Sequence, residues 1–264
     1  MQPYKIFAVK YAHHADRPAS LNFINPDPHE TGSPLDYFVW AIVGPDRAFV
    51  VDTGFNSETA QRRKRQHLRS PAAGLKQIGV DAAKVQDVII THMHYDHAGT
   101  YDDFPNARFH LQDKEMQFVT GRCMCHGPFR HSFEEEHVVG MVRKVFAGRV
   151  CFHDGAEELA PGLSIHYVGG HTMGLQIVRV WTERGWVVIA SDAAHLYANI
   201  DDVRPFPIVY HMGEMLEGYQ TIRKLAASPH HIVPGHDPLV MRRYPAAERG
   251  LEDVAVRLDV APRS

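Results

Sequence analysis

The stretch Thr91-His92-Met93-His94-Tyr95-Asp96-His97 decides how this chain is read. It sets three imidazoles and one carboxylate within the six residues from His92 to His97. An apolar strand, Val88-Ile89-Ile90, runs straight into it, and Ala98-Gly99 ends it. A strand delivers side chains alternately to two faces, and a turn then bunches the last ones together. The run can therefore present four metal-binding groups at one strand end. Neutral imidazole suits Zn, Fe, Co or Ni, and the carboxylate adds a hard ligand suited to hydrolysis. The competing reading is a solvated His-rich turn. Four ligand groups in so short a run weigh against it, even in a chain with 19 histidines.

Working outward, four further places have an apolar strand running into a polar residue beside Gly or a small residue. They are Val50-Val51-Asp52-Thr53-Gly54, Val168-Gly169-Gly170-His171-Thr172-Met173-Gly174, Ile189-Ala190-Ser191-Asp192 and Val233-Pro234-Gly235-His236-Asp237. Open α/β sheets put their chemistry at such strand ends. Taken singly each is weak: a lone His there is usually a satisfied histidine, and an Asp there is usually a turn former or cap. Their weight lies in the fixed order of one HxHxDH run followed by single His, Asp and His.

That order resembles the metallo-β-lactamase superfamily, from about Asp52 to Asp237. The resemblance implies a four-layer αββα sandwich with a dinuclear metal site at one edge of its two sheets. Carried over position by position, it implies that His92, His94 and His171 hold one metal. Asp96, His97 and His236 would hold a second, with Asp192 bridging both. Asp52 would orient the HxHxDH loop. Five neutral imidazoles and two carboxylates partly compensate two divalent cations and leave room for a bridging hydroxide as nucleophile. Zn is the default for this all-N/O set, with Fe, Mn and Co open.

Within the superfamily the chain is similar to the N-acyl homoserine lactonase group. An Asp at position 192 departs from the β-lactamases, and His94 departs from the flavodiiron branch, which has Glu there. Too few residues follow His236 for the helical domain that many glyoxalase II-like thioesterases carry. The turn Gly170-His171-Thr172-Met173-Gly174-Leu175-Gln176 and the ending Pro234-Gly235-His236-Asp237 fit the lactonases. One position departs from them: related lactonases have a Tyr three residues after the bridging Asp, where this chain has His195, with Tyr197 two residues further on. The expected helper group is then His195 or Tyr197, with a surface histidine as the alternative for His195. The resemblance implies a metal-dependent ester hydrolase that opens an N-acyl homoserine lactone or related lactone, with Asp96 returning a proton to the ring oxygen. The alternatives are a thioesterase or another cyclic-ester or amide hydrolase of a catabolic pathway on the same metal site, and a non-catalytic metal- or ligand-binding protein.

The rest of the chain is consistent with one mixed α/β layered domain over residues 1–264. Strands are expected at Tyr4–Tyr11, Tyr37–Val43, Ala48–Val51, Val88–Ile90, Arg108–Leu111, Val150–Phe152, Leu163–Val168, Gln176–Trp181, Trp186–Ala190 and His231–Val233. Amphipathic helices are expected over Glu134–Phe146, with Ser132 and Glu135 as a capping box, and over Glu214–Ala227. The span from about 113 to 148 reads as a helical cap over the site. Its Met116, Phe118, Met124, Phe129 and Phe133 would suit an acyl chain, whereas Arg122, His126, Arg130 and His131 would suit a small anionic lactone; the sequence supports both.

Composition is ordinary, with 44% hydrophobic and 22% charged residues, and the formal charge of -3 argues against a nucleic-acid partner. The dense basic run Arg62-Arg63-Lys64-Arg65 is expected on the solvated face of a short helix starting near Ser57. Three cysteines, Cys123, Cys125 and Cys151, do not form a disulfide framework, and Cys123-Met124-Cys125-His126 is a weak metal knuckle. With no secretory or membrane-spanning pattern, the expected compartment is the cytoplasm. The expected partner is a small-molecule lactone, without nucleic acid or membrane, and the resemblance leaves room for a homodimer.

Overall fold

A computed structural model describes residues 1–263 of the chain. In chain order the strands are β1 (Lys5–His14), β2 (Leu35–Val43), β3 (Ala48–Val51), β4 (Gln66–His67), β5 (Asp87–Ile89), β6 (Arg108–Gln112), β7 (Val150–His153), β8 (Glu157–Ala160), β9 (Leu163–Tyr167), β10 (Gln176–Thr182), β11 (Gly185–Ser191), β12 (Ile232–Pro234) and β13 (Ala255–Arg257). The helices are α1 (Ala19–Asn22), α2 (Ser57–Arg62), α3 (Pro71–Gln77), α4 (Asp113–Thr120), α5 (Gly127–Arg130), α6 (Glu135–Phe146), α7 (Tyr197–Asp201), α8 (Met212–Leu225) and α9 (Leu239–Arg243).

The strands form two sheets. One has the order β13-β1-β2-β3-β5-β6-β7, with β4 on β1, and the other has the order β12-β11-β10-β9-β8. In the first, β3, β5, β6 and β7 run parallel. In the second, β11 and β12 are parallel and the rest antiparallel. Three apolar clusters account for the layering. Phe38, Trp40, Ile42 and Val51 of the first sheet meet Ile165, Val178, Val180 and Ile189 of the second. On the far side of the first sheet, Val39, Val50 and Val88 pack with Leu75 and Met141 of the helices. On the far side of the second, Ile177 and Val188 pack with Met215, Tyr219 and Ile222 of α8. Alternate residues along β2 thus enter different cores, so it is buried on both faces although it is antiparallel to both neighbours. The result is a helix–sheet–sheet–helix stack.

Several expectations change. The two-residue β4, β8 and the late β13 have too few apolar residues to show a period and were not anticipated. The capping box does not form. Helix α6 starts at Glu135, its cap position Glu134 makes no side-chain cap, and the Glu134 carboxylate is instead taken by Arg62 at 3.1 Å and Arg63 at 2.8 Å. Ser132 faces the site, and its carbonyl accepts the Tyr95 N–H at 2.9 Å. The basic run is not one solvated face either. Only Arg62 belongs to α2, whereas Arg65 is drawn in against Tyr37 and Tyr95. No helix among the described residues is long and apolar enough to cross a membrane. The three cysteines are free.

Candidate metal centre

The polar ends of β3, β5, β11 and β12 and the loop after β9 converge at one edge of the stack. Two turns there hold non-glycine residues in the left-handed region, Asp52 at φ 60° and Ser191 at φ 45°. Such a conformation costs energy and persists only where surrounding contacts over-determine it. Gly170 (φ 82°) is required twice over, since a Cβ would also lie 2.4 Å from the Met215 nitrogen at the start of α8. A Cβ at Gly235 would meet Asp192 Oδ1 at 2.7 Å, so that turn can only be bare backbone.

These turns bring His92, His94, His171 and Asp192 into one group and Asp96, His97 and His236 into another, with ligand atoms in each group all within 4.8 Å. All seven residues are buried. Asp192 stands between the groups. Its Oδ1 is 2.9 Å from His236 Nε2 and 3.3 Å from His97 Nε2. Its Oδ2 is 3.4 Å from His171 Nε2 and 3.8 Å from His92 Nε2.

Second partners set which ring nitrogen is free. His97 Nδ1 donates to Asp52 Oδ2 at 2.7 Å, His236 Nδ1 to the Asp36 carbonyl at 2.9 Å, and His171 Nδ1 to the Ile208 carbonyl at 2.6 Å. Each ring therefore points its Nε2 inward, as metal-ligating histidines do. Asp52 also accepts from the Thr91 N–H at 2.7 Å and from the Thr91 hydroxyl at 2.8 Å, tying the end of β3 to the HxHxDH loop.

Divalent cations fit this donor set. His171 Nε2 and His92 Nε2 lie 2.9 Å and 3.0 Å from His94 Nδ1, so three imidazole nitrogens converge on one point that a shared cation could occupy. Burial, reinforced by neighbouring imidazoles, holds His92 and His94 well below the usual histidine range, so they stay neutral donors. Burial alone would raise the Asp192 carboxyl, but His236, His97 and His195 hold it well below the ordinary carboxylate range. His97 shows the reverse: burial would lower it, but Asp192, Asp52 and Asp96 together raise it well above. His97 Nε2 and Asp192 Oδ1 are buried without a hydrogen-bond partner, which is where a cation would find its ligands.

His195 lies in the same pocket, with Nε2 2.9 Å from Asp192 Oδ2 and its ring stacked on Phe206 at 3.6 Å. Burial pushes it down to about 3, so it is neutral and donates Nε2–H to Asp192. It is not a surface histidine. Tyr197 is not brought to the pocket. Its ring packs in the intersheet core beneath the Arg243 guanidinium, because the turn after β11 sends the start of α7 the other way. Of the four polar cap residues weighed from the sequence, only His131 reaches the pocket wall.

Glu115 was missed. It is fully buried on α4 and accepts from the Met93 N–H at 2.8 Å, the Gly174 N–H at 2.9 Å and the Thr172 hydroxyl at 2.7 Å. It therefore clamps the HxHxDH loop to the His171 loop. A Glu in the charged opening turn of a helix carries no mark of this in sequence.

The stack and the centre define a metallo-hydrolase architecture, and comparison with known proteins assigns it. The model of the metallo-beta-lactamase superfamily matches residues 32–236. The chain belongs to that superfamily. An N-acyl homoserine lactonase of Bacillus cereus is 26% identical over 133 residues, covering 50% of this chain and 48% of that protein. The matched stretch thus spans about half the length of such relatives. A crystal structure of a quorum-quenching N-acyl homoserine lactone lactonase superposes with a TM-score of 0.75, at 20% identity, over 90% of this chain and 94% of that one. A hydrolase of the beta-lactamase superfamily, AbOPH, superposes with a TM-score of 0.67 at 16% identity, over 90% of this chain and 91% of that one. At these identities the superpositions establish the fold alone.

Proposed function

We propose that this protein is a dinuclear metal-dependent hydrolase that opens lactone rings, with Zn as the default metal. The observation that carries the reading is Asp192, whose two oxygens face two separate ligand groups. The similarity to N-acyl homoserine lactonases supports lactones as the substrate class. In this reading His92, His94 and His171 hold one cation, Asp96, His97 and His236 hold the other, and Asp192 joins them. Bound there, the cations would acidify a water molecule and stabilise negative charge on the attacked and departing oxygens.

The chain's own residues do the rest. Asp52 keeps His97 in the tautomer that offers Nε2, and His195 holds Asp192 through Nε2–H. Water adds to the acyl carbon, and its proton passes to the Asp96 carboxylate. The ring C–O bond then breaks, and Asp96 returns the proton to the ring oxygen, leaving a hydroxy acid. Phe133 lies against His94 at 4.5 Å and, with Ser132 and His131 from the cap segment over residues 113–148, limits water over the site. The free thiols accord with a reducing cytoplasm.

Purified protein, reconstituted with Zn, is to be assayed against acyl homoserine lactones, aliphatic γ- and δ-lactones, thioesters and a chromogenic β-lactam. Lactone opening should dominate, with two metals per chain by elemental analysis. Thioester turnover far above every lactone would overturn the lactonase reading.

A further inference from the structure

Three arginines line the catalytic pocket, Arg17, Arg63 and Arg65, and none has a part in the chemistry above; Arg63 is paired with Glu134, which leaves Arg17 and Arg65. Arg17 follows β1, and Arg65 immediately precedes β4, which pairs with β1. Both line the pocket that contains His94, Asp96, Asp192 and His236. Arg17 is only 7% exposed. Its Nε donates to Asn22 Oδ1 at 2.6 Å and its Nη2 to the Leu21 carbonyl at 2.8 Å. The Arg65 Nε donates to the Tyr37 hydroxyl at 2.8 Å, and its Nη1 to the Arg63 carbonyl at 2.6 Å. Every one of these partners is neutral. Among the described residues neither guanidinium pairs with a carboxylate, and neither Arg17 Nη1 nor Arg65 Nη2 has an acceptor. Neighbouring arginines differ: Arg62 and Arg63 share Glu134, and Arg204 pairs with Glu30.

A guanidinium taken out of water without a counter-charge, as that of Arg17 is, is costly, and a protein keeps one so only where something else compensates it; Arg65 beside the same pocket is half-buried. Here the neutral partners fix the two forks in place and leave a donor on each uncommitted. The pocket itself is small, about 170 Å³. Phe133 of the cap lies against His94, and Leu21, Leu35 and Ile208 line the pocket, but the other apolar cap residues do not. Phe118 packs against Phe129, Phe133 and Tyr210, while Met116 and Met124 lie on the main core. His14, with Nε2 3.5 Å from Arg65 Nη1, is pushed down to about 4 chiefly by burial and then by Arg65 and Arg17.

We propose that Arg17 and Arg65 form a carboxylate-binding subsite, so that the substrate is a small lactone bearing a free carboxylate rather than a long-chain acyl lactone. The inference rests on the lactone reading for the reaction but not for the subsite itself. Planar guanidiniums match a carboxylate with two parallel hydrogen bonds, which gives orientation as well as attraction. Held there, the carboxylate would turn the lactone carbonyl toward the metal ligands.

The test has two arms on the Zn-reconstituted protein. In the first, five- and six-membered lactones carrying a ring carboxylate are compared with the carboxamides of the same rings. The carboxylates should have a kcat/KM about tenfold or more higher, mainly through KM. Arg17→Gln and Arg65→Gln should bring the ratio toward one, with Arg17→Lys and Arg65→Lys between. In the second arm, glutarate and acetate are titrated calorimetrically. Both offer a carboxylate to the metals, but only the dicarboxylate carries a second carboxylate for the arginines, so glutarate should bind about tenfold or more tighter. This margin should shrink in the Gln variants. Equal wild-type ratios in both arms would overturn the subsite, and they need no variant to fold. If no lactone is opened but glutarate keeps its margin, the lactone reading falls and the subsite stands.

Discussion

Asp192 is the residue on which the two halves of the centre depend, and Asp96 is the one that separates them. Asp96 Oδ2 lies 3.7 Å from His236 Nε2 and 3.8 Å from His97 Nε2, and it groups with those two rather than with His92 and His94. Asp96→Asn should therefore cut the metal content from two toward one per chain and lower kcat/KM for a lactone about 100-fold or more, as loss of a proton-transfer group does. A variant that keeps two metals and full activity would refute this partition. At this scale the sequence was highly legible for groups with rare chemistry. The HxHxDH run stood out by its chemistry alone, and its order with the later single His, Asp and His carried the resemblance that implied all seven ligands. His195 and Tyr197 show the limit, because their spacing after Asp192 did not say which way the chain would turn. Only the turn geometry brings the imidazole in and sends the phenol into the core.

At the scale of elements, the loops after β5 and β9 are held together by α4 through Glu115. Removing that carboxylate leaves the Met93 and Gly174 N–H groups and the Thr172 hydroxyl without their acceptor. Glu115→Ala should cost about 2–4 kcal/mol in denaturant unfolding, and should weaken metal binding although Glu115 touches no metal. Unchanged metal affinity would show that the two loops hold their positions without the clamp. Helix α6 was legible from its three-and-four spacing, but its start was not. The Ser132–Glu135 pattern is a sound local signal for a cap. It lost to the pair of guanidiniums on Glu134, a contact between residues some 70 positions apart that no local pattern records. The basic run from Arg62 to Arg65 misled for the same reason, since its members were divided among a helix end, an ion pair and the pocket wall.

For the whole molecule, the centre lies where two sheets present their strand ends to each other, so seven ligand-type side chains from distant segments are buried together at one place. The metal-loaded protein should therefore be markedly more stable. A site at about 1,000 times its Kd adds about 4 kcal/mol. Stripping with a chelator should lower Tm by on the order of 10 °C, restored by Zn. A chelated protein with an unchanged Tm would mean that the folded stack holds its converging ligands without metal.

The order of motifs along the chain was enough to specify the superfamily, its layered α/β class and the set of candidate ligands. Polar residues at the ends of apolar strands are local features that a sequence shows, and their order carried the resemblance that implied the fold and the ligand set. The chain alone did not decide what else faces the pocket. Arg17, Arg65 and Glu115 are ordinary charged residues in ordinary stretches. Their roles arise from a place on the pocket wall without a counter-charge, or from burial with three donors waiting. Burial of that kind exists only once distant segments have packed.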